Sequence, residues 1–223
     1  MVQTIANLEG GPDHRLCVKH MYGNFKKKYP GNELKQCWWR AARASTKQEW
    51  NLAMDVMKGL NEAAYNEMIH LTASHWARSF FPTDTCCDLQ VNNMCEAFNM
   101  AILDHREKPI ISLLEGIKHY LTTRIVKHRG LMQRWRGNLC PMIQQKLDLS
   151  KKYSDFWTPI WHGDYEMCKF EVTKDNDKYA VDLATSTCAC RRWDLTGIPC
   201  QDVVSCIWWA RRNPEDYVHP CYL

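Results

Sequence analysis

Cys188 and Cys190 stand one residue apart, and a third thiol, Cys200, follows the turn Gly197-Ile198-Pro199. In an extended strand, side chains at i and i+2 leave the same face, so the first two thiols aim at one point. The turn brings Cys200 back towards them, and a fourth ligand is expected just beyond it, near Asp202. Thiolates are ligands that zinc prefers, and a structural zinc site closes a tetrahedron with four protein ligands. The competing reading is a group of buried structural cysteines without metal.

The stretch Cys188–Asp202 resembles the SWIM zinc finger, whose pattern is Cys-x-Cys, a spacer, then Cys-x-His. Cys188, Cys190 and Cys200 match it, and Asp202 stands where the pattern has histidine. The resemblance implies zinc as the cofactor, held by Cys188, Cys190, Cys200 and Asp202. Aspartate is a legitimate oxygen ligand for zinc, but it is shorter than histidine and harder than the sulfurs beside it. With three thiolates it also leaves more excess negative charge than histidine would, which Arg191 and Arg192 are placed to offset. The expectation is a weakened zinc site that Asp202→His would tighten. Cys206, one helical turn further on, is the alternative fourth ligand, with His219 and Cys221 more distant candidates.

A second pair of metal-competent side chains lies near the start. Cys17 and His20 are three residues apart and share a face of a helix. Spacing alone fits a buried cysteine and a hydrogen-bonded histidine as well as a functional pair. The run from His14 to Thr46 resembles the Mutator-like transposases of plants, including the far-red-impaired-response proteins, whose CxxH signature Cys17 and His20 match. In that family the block Asn92-Asn93-Met94-x-Glu96-x-Phe98-Asn99 supplies the third acid of an Asp-Asp-Glu triad, so the resemblance places Glu96 there. Glu96 also falls three residues after Asn93, as a helix-capping partner would. Two divalent metals across a phosphodiester need several carboxylates. In the family both aspartates precede the CxxH helix. Here sixteen residues precede Cys17, and the one aspartate among them, Asp13, is expected to cap the helix that follows. Glu96 is therefore expected to be vestigial, with Cys17 and His20 near it, and the chain not to be an enzyme.

Between Gly116 and Lys146 there is no acidic residue, while Lys118, Arg124, Lys127, Arg129, Arg134, Arg136 and Lys146 are all basic. Such a block is a candidate for phosphate contact, hence DNA as a possible partner; a solvated helix surface is the alternative. The formal net charge of +4 permits a nucleic-acid partner without requiring one. Nothing after Met1 looks like an apolar signal segment, and no apolar run approaches the ~20 residues of a membrane span. Twelve cysteines are therefore expected to be reduced thiols in the nucleus and not a disulfide framework.

The elements that must position these groups follow from periodicity. A helix is expected after Asp13, closed by Lys26-Lys27-Lys28. Others are expected over 33–43 and over 47–58, the latter with a Thr46/Glu49 capping box and a stop at Gly59. A fourth is capped by Asn61. Residues 74–91 suggest a loop with a short strand. The longest helix spans 109–136 with an apolar stripe of Ile110, Leu113, Leu114, Ile117, Leu121 and Ile125. Residues 137–163, with Gly137, Pro141, Pro159 and Gly163, suggest an irregular linker. Alternation over 169–172 and 179–183 predicts a β-hairpin leading into Cys188 and Cys190, with a helix after Cys200 and Trp193, Trp208 and Trp209 packed around it.

The fold class is thus α+β. Residues 1–136 form a mostly helical remnant of an RNase H-like transposase domain, 137–163 a linker, and 164–223 a small SWIM-type zinc module that needs metal binding to add folding energy. The expected function is that of a zinc-binding, transposase-derived nuclear protein acting in DNA binding or transcriptional regulation without catalysis. The alternatives are a fragment of an active DNA transposase and a decayed remnant without function.

Overall fold

The computed structural model describes residues 14–223; Asp13, expected to cap the first helix, lies outside the described residues. The architecture is α+β: helices first, then a four-stranded antiparallel sheet and its covering helices.

Four helices build the first half: α1 (Val18–Lys28), α2 (Asn32–Arg43), α3 (Lys47–Leu60) and α4 (Glu62–Ile69). The first starts later than the sequence suggests, with Cys17 at its N-cap and Leu16 before it. Backbone bonds explain this: the Leu16 amide donates to the His75 carbonyl and the Val18 amide to the Gln90 carbonyl, which holds the entering chain extended. In α3 the Thr46/Glu49 capping box forms, with the Glu49 amide donating to Thr46 Oγ1 at 3.2 Å. Gly59 does not end α3, which runs one residue further to Leu60. Asn61 then accepts from the Ala64 amide at 2.9 Å and restarts the chain as α4. Ala41 and Ala42 let α2 and α3 approach closely around a core of Val18, Phe25, Trp38, Met54, Met57 and Trp76. Trp38 and Trp76 stack at 5.6 Å between ring centroids. Fully burying side chains of this size contributes about 1.5–3 kcal/mol each. Residues 74–91 hold 3-10 turns, at Ala73–His75 and Arg78–Phe80, and no strand.

Next come α5 (Asn93–Ala101), the short α6 (Leu103–Arg106) and the 25-residue α7 (Ile110–Arg134). The apolar stripe expected to seat α7 is only partly covered among the described residues: Leu113 and Ile117 are half-buried, but Ile110 and Ile125 are each 65% exposed, and Leu114 and Leu121 are also exposed. The helix touches its surroundings at Gly116, where an added Cβ would lie 2.4 Å from the His105 ring.

The stretch 137–163 is not irregular. It contains α8 (Pro141–Ser154) and β1 (Thr158–Trp161). Proline misleads at both places: Pro141 is at the start of α8, where its missing N–H costs nothing, and Pro159 lies in β1, an edge strand, where proline is tolerated. The hairpin forms as its alternation predicts. β2 (Lys169–Lys174) buries Phe170 and Val172 and pairs with β3 (Asp177–Asp182) in the register Phe170↔Val181. Asp175 opens the turn at φ 51°. β4 (Thr187–Cys188) pairs Cys188 with Val181. The short α9 (Arg192–Thr196) and then α10 (Gln201–Trp209) follow. On α10, Val203 and Ile207 join the sheet's core, while Val204 meets Leu147 of α8 on the other side. Trp193 is buried, and its indole N–H donates to the Tyr217 carbonyl. Trp208 and Trp209 are half exposed, although Trp209 packs edge-on against Phe170.

Candidate metal centre

Three elements deliver the four groups. Cys188 ends β4, whose pairing with β3 fixes its direction; its amide donates to Asp194 Oδ2 on α9 at 3.0 Å. Cys190 does not sit in a strand, contrary to the expectation from spacing. The chain turns first, with the Arg191 amide donating to the Cys188 carbonyl at 2.7 Å and Arg191 itself at φ 61°. Both sulfurs still reach one point, because the turn keeps them 3.3 Å apart. Cys200 is the N-cap of α10, and Asp202 lies in its first turn. A helix N-terminus favours negative groups, so thiolate and carboxylate are both suited to that end.

The ligand atoms of Cys188, Cys190, Cys200 and Asp202 all lie within 4.8 Å of one another, and all four residues are buried. Cys190 Sγ is 3.5 Å from Cys200 Sγ, and Cys188 Sγ is 2.9 Å from Asp202 Oδ2. Around zinc, with Zn–S near 2.3 Å, tetrahedral geometry separates neighbouring sulfurs by roughly 3.7 Å. The two sulfur–sulfur separations at Cys190, 3.3 and 3.5 Å, lie within a few tenths of an ångström of that value. The carboxylate does reach, despite being shorter than an imidazole.

A buried polar atom supports the fit. Asp202 is 0% exposed, and its Oδ1 has no hydrogen-bond partner. A carboxylate oxygen stranded in a protein interior costs several kcal/mol unless a cation or donor meets it. The protonation pattern points the same way. Burial, and then the field of the Cys190 sulfur, pushes the Asp202 carboxyl up to about 7. Cys188 is raised, first because its thiol donates to Cys190, and Cys200 is raised by burial. The same Cys188 thiol lowers Cys190 to about 3. Without a cation the pocket thus keeps most of its protons. Zinc bound here would crosslink β4, the turn after it and α10.

Cys206 is not part of the cluster. Its Sγ points to the backbone carbonyl of Asp202 at 3.5 Å, one turn along the same helix, and burial raises it to about 12. His219 and Cys221 are also outside it: His219 Nδ1 accepts from the Cys221 amide, and both belong to the C-terminal turn. The two arginines divide their roles. The guanidinium of Arg192 faces Glu49 at 3.7 Å; burial opposes its charge, but the fields of Cys190, Asp202 and Glu49 outweigh this and raise it. Arg191 turns away to the helical half, donating to the Phe81 carbonyl at 2.7 Å and also to the Ser79 carbonyl. This link is invisible in the sequence, because the acceptors are backbone atoms.

Elsewhere, Glu96 does not cap α5; its carboxylate faces Lys19 and His20. Cys17, His20 and Glu96 form a second group whose ligand atoms lie within 4.8 Å of one another. Lys118, Arg124, Lys127, Arg129 and Arg134 on α7, with Arg136 beyond it and Lys146 on α8, are all exposed. At 100° per residue, Arg124, Lys127 and Arg134 share one side of α7.

A family model described as the SWIM zinc finger matches residues 170–201, from β2 into the first turn of α10. It spans Cys188, Cys190 and Cys200 and ends one residue before Asp202. No curated protein and no solved structure matches the chain. The cysteine-rich cluster and the matched module together mark this as a zinc-binding site. No helix among the described residues is long and apolar enough to cross a membrane.

Proposed function

We propose that the chain is a transposase-derived nuclear protein that uses a zinc-stabilised module to support contacts with DNA and performs no catalysis. The buried Cys188–Cys190–Cys200–Asp202 cluster, inside and next to the matched SWIM segment, carries this reading. Cys188, Cys190, Cys200 and Asp202 hold the zinc, and its role is to lock the module around the end of β4. The resemblance around Cys17 and His20 supports the transposase origin, as does the meeting of both residues with Glu96 across the fold. The DNA contact is assigned to Lys118, Arg124, Lys127, Arg129 and Arg134, which are exposed on a helix roughly 37 Å long, and to Arg136 just beyond its end.

Phosphate contacts release counterions, so binding to duplex DNA should weaken steeply with salt and show little sequence preference. Replacing Arg124, Lys127, Arg129 and Arg134 with Ala together should reduce the salt slope by about three to four. An unchanged slope removes α7 from the contact. The enzyme reading is tested by incubating the chain with DNA and magnesium or manganese: cleavage lost in Glu96→Gln would overturn the non-catalytic assignment.

A further inference from the structure

We infer that Cys17, His20 and Glu96 form a second, separate site for a single borderline-soft divalent ion of the zinc or cobalt class. The donors are one thiol sulfur, one imidazole nitrogen and one carboxylate oxygen, brought within 4.8 Å of one another from α1 and α5. His20 Nε2 lies 3.4 Å from Glu96 Oε1. That oxygen is shut off from solvent and has no hydrogen-bond partner, although the side chain as a whole is 39% exposed. The other oxygen, Oε2, faces the Lys19 ammonium at 3.5 Å, so the lysine leaves Oε1 to the site.

The backbone holds this arrangement in advance. The Leu16 and Val18 amides are anchored to the His75 and Gln90 carbonyls, fixing Cys17 between them. Gln90 is itself buried, its side-chain amide donating to the Ala42 and Trp76 carbonyls, and α5 begins three residues later. The same anchor therefore sets where Glu96 stands relative to Cys17. His20 follows in the first turn of α1, on the face of Cys17. Its side chain is 66% exposed, so a small rotation of the ring is enough to close the set around an ion.

Chemistry selects the ion. Magnesium binds through carboxylates and water and disfavours sulfur and imidazole. One Cys, one His and one Glu suit zinc, and three protein ligands leave a fourth position open to water at this exposed location. The site is independent of the Cys188–Asp202 cluster, so either can fail without the other.

The test is a cobalt and zinc titration of the full chain after chelator treatment, followed by elemental analysis and absorption spectroscopy. The unaltered chain should hold about two ions. A Cys188→Ser, Cys200→Ser variant should keep about one, with cobalt absorption of a single-thiolate site that disappears on adding His20→Ala. Cys17→Ser with His20→Ala, in an otherwise unaltered chain, should lower the total from about two to about one while the spectrum of the three-thiolate site persists. If the Cys188→Ser, Cys200→Ser variant keeps its helical circular dichroism and holds no ion, the inference is wrong. If that variant does not fold, metal content unchanged by Cys17→Ser with His20→Ala overturns it equally.

Discussion

The guanidinium of Arg191 donates to the backbone carbonyl of Phe81 across 110 residues of sequence. It leaves the chain directly after the ligand Cys190 and reaches the helical half, where it also meets the Ser79 carbonyl. Whatever orders the turn at Cys190 thus also orders the joint between the two halves. Hydrogen bonds from a charged donor contribute about 1.5–3 kcal/mol, so Arg191→Ala should lower the unfolding free energy by about that much. Arg191→Lys should rescue little, because an ammonium lacks the planar fork that serves two carbonyls. Arg191 sits at φ 61°, a conformation glycine adopts more easily. Arg191→Gly should therefore be more stable than Arg191→Ala by about 0.5–1 kcal/mol, measured by urea denaturation. Equal stability of the two would mean that the backbone strain is not there.

Asp202 and Cys206 compete on paper for the fourth position, and the structure separates them. Asp202→Ala removes the only oxygen donor of the cluster and should weaken zinc binding by at least about tenfold in chelator competition. Cys206→Ser should leave zinc affinity within about threefold, since its sulfur engages a backbone carbonyl outside the cluster. The opposite ranking would make Cys206 the ligand.

Zinc uptake should depend on pH with a change of slope. Metal can bind only after the ligands lose their protons. Cys188 and Cys200 are raised and so arrive protonated at neutral pH, while Cys190 is lowered and does not. Asp202 holds its proton below about 7 and has released it above. Affinity therefore rises with pH throughout, by about two decades per pH unit above pH 7 and about three below it. Isothermal titration calorimetry in buffers of different ionisation enthalpy counts the released protons. A constant count between pH 6 and 8 would exclude Asp202 from the exchange.

Gly197 makes the turn that returns Cys200. It lies at φ 68°, and an added Cβ would sit 2.6 Å from His219 Cβ. Gly197→Ala should cost about 1–3 kcal/mol, from backbone strain together with displacement of the His219 segment. It should also slow zinc uptake by the chelator-treated chain, since Cys200 depends on that turn. A thermal melt unchanged within about 1 °C would show that the C-terminal turn yields without cost.

Local chemistry alone set much of this molecule. The helices of the first half follow from apolar spacing and caps, as Thr46 with Glu49 and Asn61 show. The hairpin follows from alternation, because a half-buried strand has a period of two whatever lies around it. The three thiols and Asp202 are likewise visible as a group by residue type and spacing, although their convergence depends on the turns at Arg191 and Gly197. Proline misled at α8 and β1, where its effect depends on whether it stands at a helix start or on a sheet edge, and sequence does not say which. Long-range packing decided the rest. That α7 keeps Ile110, Leu114, Leu121 and Ile125 of its apolar stripe exposed depends on which surfaces meet it, not on its own periodicity. That Arg191 turns from the metal centre to the helical half follows from a turn at φ 61° and from carbonyls about 110 residues away. The placing of Glu96 beside Cys17 and His20 depends on a backbone anchor at Gln90, whose energy comes from the fold around it and leaves no periodic trace in sequence.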